Sequence, residues 1–328
     1  MKKIIAILLL ISQVTIAQNW DIPANKKDFH IFLLMGQSNM SGYAPLLPGD
    51  KDSIPQVLFI PTTGQSENYA WKPGAHPLHN RRGTDRFGLG IDFAKTYLLA
   101  HPDVTVGFIP VANGGSAIAG LQKGTNVYKD AMAKAKWAKS IGVIKGVLWH
   151  QGESDTVKKT LSDSYQSKLD KLVTDVRVDL EQDSLLFIAG NLAEFYGTSS
   201  DHNAPDRVER IVQIRSTLRD LPNRMSFTGF VESTDLKSFD KHNVHFDRDS
   251  YITFGKRYAK RYLALEDSLK PVVSINQRSL QKEKILSTAK FYTIEGKRVP
   301  LESNHLNNKK HLPHITFSKE NGTSSLKE

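Results

Sequence analysis

The chain has 328 residues, of which 39% are hydrophobic and 24% charged, with a formal charge of +10 and no cysteine. This is the composition of a globular protein with one large domain and room for an appendage, and the missing thiols exclude disulfides, thiolate metal sites and a lipid anchor on cysteine. About half of the positive excess follows Arg278, where ten Lys and Arg face five Asp and Glu, and no basic helix interleaved with aromatics argues for nucleic-acid binding.

Lys2 and Lys3 precede an apolar run from Ile4 to Ile11, and Thr15-Ile16-Ala17 fits a small-x-small cleavage site. This predicts a signal peptide over 1–17, cut before Gln18, and therefore an exported protein, periplasmic, cell-surface or extracellular. The run is shorter than the roughly 20 residues a bilayer-spanning helix needs, and no later stretch is suited to membrane insertion. Export without disulfides points to a bacterial source.

Five short, nearly continuous apolar runs follow: Phe29–Met35, Val104–Pro110, Val143–Trp149, Leu185–Ala189 and Ser226–Val231. Continuous rather than alternating burial suits strands covered on both faces. Between them, Tyr165, Leu169, Leu172, Val176 and Leu180 recur at helical spacing, as do Val208, Ile211, Val212 and Leu218, and residues 249–265 read as a closing helix. Strands alternating with helices predict a parallel sheet with helices on both sides. The Pro-, Gly- and Asn-rich segment from about 45 to 90 reads as long loops walling a cleft. From residue 269 the chain reads as a small β-rich appendage or flexible tail.

In such sheets ligands bind beyond the carboxyl ends of the strands. Four reactive stretches fall at predicted strand ends or just before the last helix. They are Gly36-Gln37-Ser38-Asn39-Met40, Asn113-Gly114-Gly115-Ser116, His150-Gln151-Gly152-Glu153 with Asp155, and His242 with His245. A serine hydroxyl is a poor nucleophile until a neighbouring base takes its proton, which makes Ser38 the candidate nucleophile and His245 the candidate base. Acyl transfer also needs donors aimed at the developing oxyanion, for which the Ser38 and Gly115 N–H groups and a side-chain amide from Asn113 or Gln151 are candidates. Gln37 and Asn39, flanking Ser38, are candidate substrate-binding residues.

These four blocks, in this order, resemble those of the SGNH-superfamily carbohydrate acetylesterases, within the sialate O-acetylesterase-like and acetylxylan esterase (carbohydrate esterase family 6-like) group. The "FGLGIDFAKTYL" stretch at 87–98 and "FGKRYA" at 254–259 are similar to that group as well. The resemblance spans roughly residues 28–265. It implies a flavodoxin-like three-layer α/β/α sandwich over 18–268 with Ser38 as nucleophile and His245 as base. It also implies O-deacetylation of carbohydrates such as acetylxylan or sialosides through an acetyl-serine intermediate, without metal or cofactor.

One departure stands out. Such esterases place an Asp three residues before the catalytic His, and that position here is His242. Asp240 and Glu153 are the candidates for the acid behind His245, Asp240 being favoured. A non-catalytic carbohydrate-binding protein and a secreted short-chain lipase or esterase remain alternatives. His242 and His245 with Asp247 and Asp249 read as a solvated loop rather than a metal cluster, and Trp149 as core. The tail is faintly similar to C-terminal sorting domains of the type IX secretion system.

Overall fold

The computed structural model describes residues 21–61, 69–79 and 86–270, together with four short strands further on, so the expected signal peptide lies outside the described residues. The apolar runs form one sheet. Its strands are β1 (Phe29–Gly36), β2 (Val57–Phe59), β3 (Lys72–Pro73), β4 (Thr105–Pro110), β5 (Val143–His150), β6 (Leu186–Gly190) and β7 (Thr228–Val231). They lie in the order β3-β2-β4-β1-β5-β6-β7, parallel throughout except that β3 runs antiparallel to β2. Every residue of β1 except His30 is buried, as the unbroken apolar run required.

Among the described residues eight α-helices accompany the sheet: α1 (Ser38–Ser41), α2 (Gly90–Ala100), α3 (Asn126–Ala138), α4 (Lys159–Asp163), α5 (Tyr165–Leu180), α6 (Pro205–Arg219), α7 (Leu221–Arg224) and α8 (Arg248–Ser268). α2 and α8 pack on one another over one face, while α3, α5 and α6 form the opposite layer. The architecture is the three-layer α/β/α sandwich. No helix among the described residues is long and apolar enough to cross a membrane.

Three expectations need correction. The segment 45–90 is not loop alone, because it carries β2 and the antiparallel edge strand β3. Three and two residues are too short to show a period, and these strands are defined by their pairing. The last strand begins at Thr228 rather than Ser226, since Phe227 takes φ +58°, outside the extended region. In α6, Ile211 and Leu218 are buried as the spacing suggested, but Val208 and Val212 face outward.

Without the β2–β3 edge pair, the order β4-β1-β5-β6-β7 is the 2-1-3-4-5 arrangement of flavodoxin-like sheets. The chain reverses its winding direction between β1 and β5, so a crevice opens beyond the carboxyl ends of these two strands. Lys270–Glu328 form a separate unit, in which β8 (Phe291–Tyr292) pairs antiparallel with β9 (Arg298–Val299) and β10 (Phe317–Lys319) with β11 (Gly322–Ser324).

Candidate active site

The crevice is built first from the end of β1. Gly36 has φ +145°, and a Cβ there would lie 2.0 Å from the His150 carbonyl oxygen. Only glycine lets β1 close this tightly on β5 before the Gln37 N–H donates to the same carbonyl at 2.9 Å. The chain then turns at once into the single-turn helix α1, with Ser38 as its first residue. A first-turn N–H has no acceptor within its own helix, so the Ser38 amide is available to a ligand.

His245 arrives from the loop between β7 and α8, where Asp247 caps α8 by accepting from the Ser250 N–H. Its Nε2 is 3.0 Å from Ser38 Oγ, and its Nδ1 is 2.8 Å from Asp240 Oδ2. Asp240 lies five positions upstream, and its carboxylate winds the loop around itself. Oδ1 accepts the N–H groups of His242 at 3.0 Å and Val244 at 3.2 Å, and Oδ2 accepts that of His245 at 3.1 Å. Asn243 at φ +53° makes the return possible. Burial acts to raise the Asp240 carboxyl, but the Val244 and His245 amides and the imidazole outweigh it and hold it below the ordinary value. Burial lowers His245 below the usual 6.5, only partly offset by Asp240 and Glu153, with Arg86 adding to the depression.

Position 242 is filled differently. His242 is about half exposed and pairs with Asp201 through Nδ1 at 2.5 Å, on the outside of the loop.

The remaining blocks meet behind the serine. Gly115 lines the cleft at φ +73° with nothing within 4 Å of a would-be Cβ, so its need for glycine is conformational. Two expected oxyanion donors are turned elsewhere. Gln151 is fully buried, and its amide nitrogen lies 3.1 Å from Gln37 Oε1, 3.1 Å from the Ser116 carbonyl and 2.5 Å from Asp155 Oδ2. Asn113 donates to Ser116 Oγ at 2.5 Å within its own loop. Asp155, raised to about 6 by burial, also accepts the Ile118 N–H at 2.9 Å and so straps the loop after β4 to the loop after β5.

Asn39, the other expected substrate-binding residue, is bonded within the scaffold. It is fully buried, donates to Glu153 Oε1 at 2.6 Å and the Val244 carbonyl at 3.0 Å, and accepts from Tyr251 OH at 2.9 Å. Glu153 spends its Oε1 on Asn39 and, at 3.3 Å, on His150 Nε2. Burial would raise this carboxyl, but His150 and Asn39 hold it below the ordinary range. The Asn39–Glu153 pair therefore fastens the serine turn to both the β5 loop and the histidine loop. Gln37 does line the cleft, with its Oε1 accepting from Gln151 and from the Ser154 N–H at 3.3 Å.

Ser38, His245, Gly115 and Glu153 open onto one cleft of about 430 Å³. Its walls include residues that the sequence did not single out: Tyr43, Arg86, Tyr196, His202 and Arg207. Tyr43 and Arg86 sit in irregular segments with no motif to mark them. Tyr196 and His202 come from the loop after β6, the one central strand end where no reactive cluster had been sought.

A serine, an imidazole and a carboxylate in hydrogen-bonded series on a cleft can carry out acyl transfer. The fold and site thus define a serine hydrolase type of centre on a flavodoxin-like sandwich. Residues 28–264 match the family described as carbohydrate esterase, sialic acid-specific acetylesterase, and the chain belongs to it. It is a carboxylic ester hydrolase of the SGNH carbohydrate esterase group. A probable carbohydrate esterase of Arabidopsis thaliana is 30% identical over 263 residues, covering 74% of this chain and 92% of the plant protein. The crystal structure of that plant protein superposes with a TM-score of 0.60 at 25% identity, covering 72% of this chain and 98% of the other. A carbohydrate acetylesterase of Xanthomonas citri shares the fold, with a TM-score of 0.53 at 19% identity over 74% of this chain and 58% of its own.

Proposed function

We propose that the protein is an exported serine esterase that removes O-acetyl groups from carbohydrates through an acetyl-serine intermediate. The observation that carries the reading is the Ser38–His245–Asp240 series, at 3.0 and 2.8 Å, opening into the cleft. Ser38 Oγ attacks the acetyl carbonyl as His245 Nε2 takes its proton, and Asp240 holds the Nδ1–H tautomer and stabilises the imidazolium. The Ser38 and Gly115 amides receive the oxyanion. His245 then protonates the departing sugar oxygen, and water, deprotonated by the same imidazole, releases acetate from Ser38.

The non-catalytic reading drew its motive from a displaced acid, and Asp240 at 2.8 Å from Nδ1 removes that motive. The positive charge of Arg86 on the cleft supports an acetylated sugar that carries a carboxylate, such as a sialoside, over neutral acetylxylan, while Arg207 is held by Thr156, Asp201 and Tyr196.

The test is acetate release from p-nitrophenyl acetate, acetylxylan and O-acetylated sialosides. Wild-type protein is expected to turn over all three acetyl esters, most efficiently the sialosides, and Ser38→Ala and His245→Ala to lose activity by at least a thousandfold. Full turnover by Ser38→Ala would overturn the mechanism. Export is tested by fractionation of the source cells and N-terminal sequencing, with Gln18 the expected first residue.

A further inference from the structure

We infer that Tyr43 is a positioning residue for His245. Its ring holds the imidazole in the plane that joins Ser38 to Asp240 and favours the cation formed when the imidazole takes the serine proton. The inference rests on the reading of His245 as the base.

The two rings are stacked, with centroids 3.8 Å apart and planes 14° from parallel. That is closer than the 4.5–7 Å common for aromatic pairs, and flat face contact is otherwise unusual between neutral rings. The hydrogen bonds at Nδ1 and Nε2 fix the imidazole within its plane. A flat neighbour on one face resists its tilt about the line between them. Tyr43 follows α1 by two residues, so one short segment, 38–43, carries both the nucleophile and the surface against which its base rests.

The placement of Tyr43 is itself secured. The next residue, Ala44, forms an antiparallel bridge with Phe87, whose N–H donates to the Ala44 carbonyl at 2.8 Å. The same bridge brings the Arg86 guanidinium to 5.0 Å from the Tyr43 ring centroid. Tyr43 is nonetheless 38% exposed, so core packing does not account for its position.

A π face in contact with the imidazole stabilises imidazolium over imidazole. The charges facing His245 are Asp240 on its own loop, Glu153 from the loop after β5 and Arg86 from the segment before α2, with His79, His202 and Arg207 on the same cleft. Asp240 and Glu153 favour the cation and Arg86 opposes it.

The experiment measures kcat and KM for p-nitrophenyl acetate from pH 5 to 9 in wild type, Tyr43→Leu, Tyr43→Phe and Arg86→Leu, with Ser38→Ala as control. Leucine keeps the bulk and the dryness but removes the π face. Tyr43→Leu is expected to lose kcat about five- to tenfold with KM within about twofold, and its acid limb to move down by about half a pH unit. Tyr43→Phe recovers most of the rate because it keeps the ring, and Arg86→Leu moves the limb upward. A wild-type rate and acid limb in Tyr43→Leu would overturn the inference, as would an equal loss in Tyr43→Phe or a loss confined to KM. If Ser38→Ala retains activity, it is the base reading of His245 that fails, and the two failures are distinguishable.

Discussion

Asp240→Asn isolates the acid behind His245. The carboxylate receives four donors, two backbone amides on Oδ1 and one amide plus the imidazole on Oδ2. An asparagine has only one accepting atom. If its oxygen stays with the His242 and Val244 amides, its NH2 faces Nδ1. The imidazole must then carry its proton on Nε2, where it can no longer accept from Ser38. The comparable loss from a wrong tautomer is about ten-thousandfold in kcat, or roughly 5.5 kcal/mol of barrier. If the amide turns over instead, two backbone donors lose their acceptor at about 1–3 kcal/mol each, and the loop that delivers His245 loosens. Both branches predict a kcat at least a thousandfold down. Both branches cost Tm, because the first leaves the His245 N–H without its acceptor and the second leaves those of His242 and Val244, so the larger fall marks the second. The assay is steady-state hydrolysis of p-nitrophenyl acetate, with Ser38→Ala setting the background. Asp240→Asn within fivefold of wild type, together with an inactive Glu153→Gln of unchanged Tm, would refute the reasoning and move the acid to the β5 loop.

In the proposed mechanism His245 works as a neutral base, so activity is expected to rise with pH as the imidazolium deprotonates. Since burial depresses this group, the acid limb of kcat/KM is expected below 6.5. Gly36→Ala would drive a Cβ to 2.0 Å from the His150 carbonyl, so a marked loss of Tm or of soluble protein is expected in thermal unfolding. Asn39→Ala removes the donor from buried Glu153 and is expected to destabilise by about 2–4 kcal/mol, read by denaturant unfolding. His242→Ala breaks only an exposed pair, so kcat is expected to stay within about threefold of wild type in the same ester assay.

The five main strands and the parallel sheet were legible because burial on both faces leaves an unbroken apolar run, as in β1. The convergence of the reactive blocks was legible too, since parallel strands deliver their carboxyl ends to one edge. Asp240 was only favoured, because an acid five residues from a histidine reaches its Nδ1 only if the intervening loop folds back, and Asn243 at φ +53° is not announced by sequence. The scaffold partners of Asn39 and Gln151 were hidden for a related reason. An amide beside a reactive serine can face either substrate or scaffold, and the choice depends on buried partners such as Glu153, 114 residues from Asn39, and Asp155.

By itself, then, the sequence determined the five main buried runs, where each of those strands stops and which chemistry is available at its end. These depend on local hydrophobicity and on residue type, both written in the chain. Only the tertiary structure decided which of the polar groups reach the cleft, that Asp240 rather than His242 lies behind the imidazole, and that Tyr43 rests on its face. Those outcomes follow from distances between residues remote in the chain, and from the rule that a buried polar group takes whatever partner the packing provides.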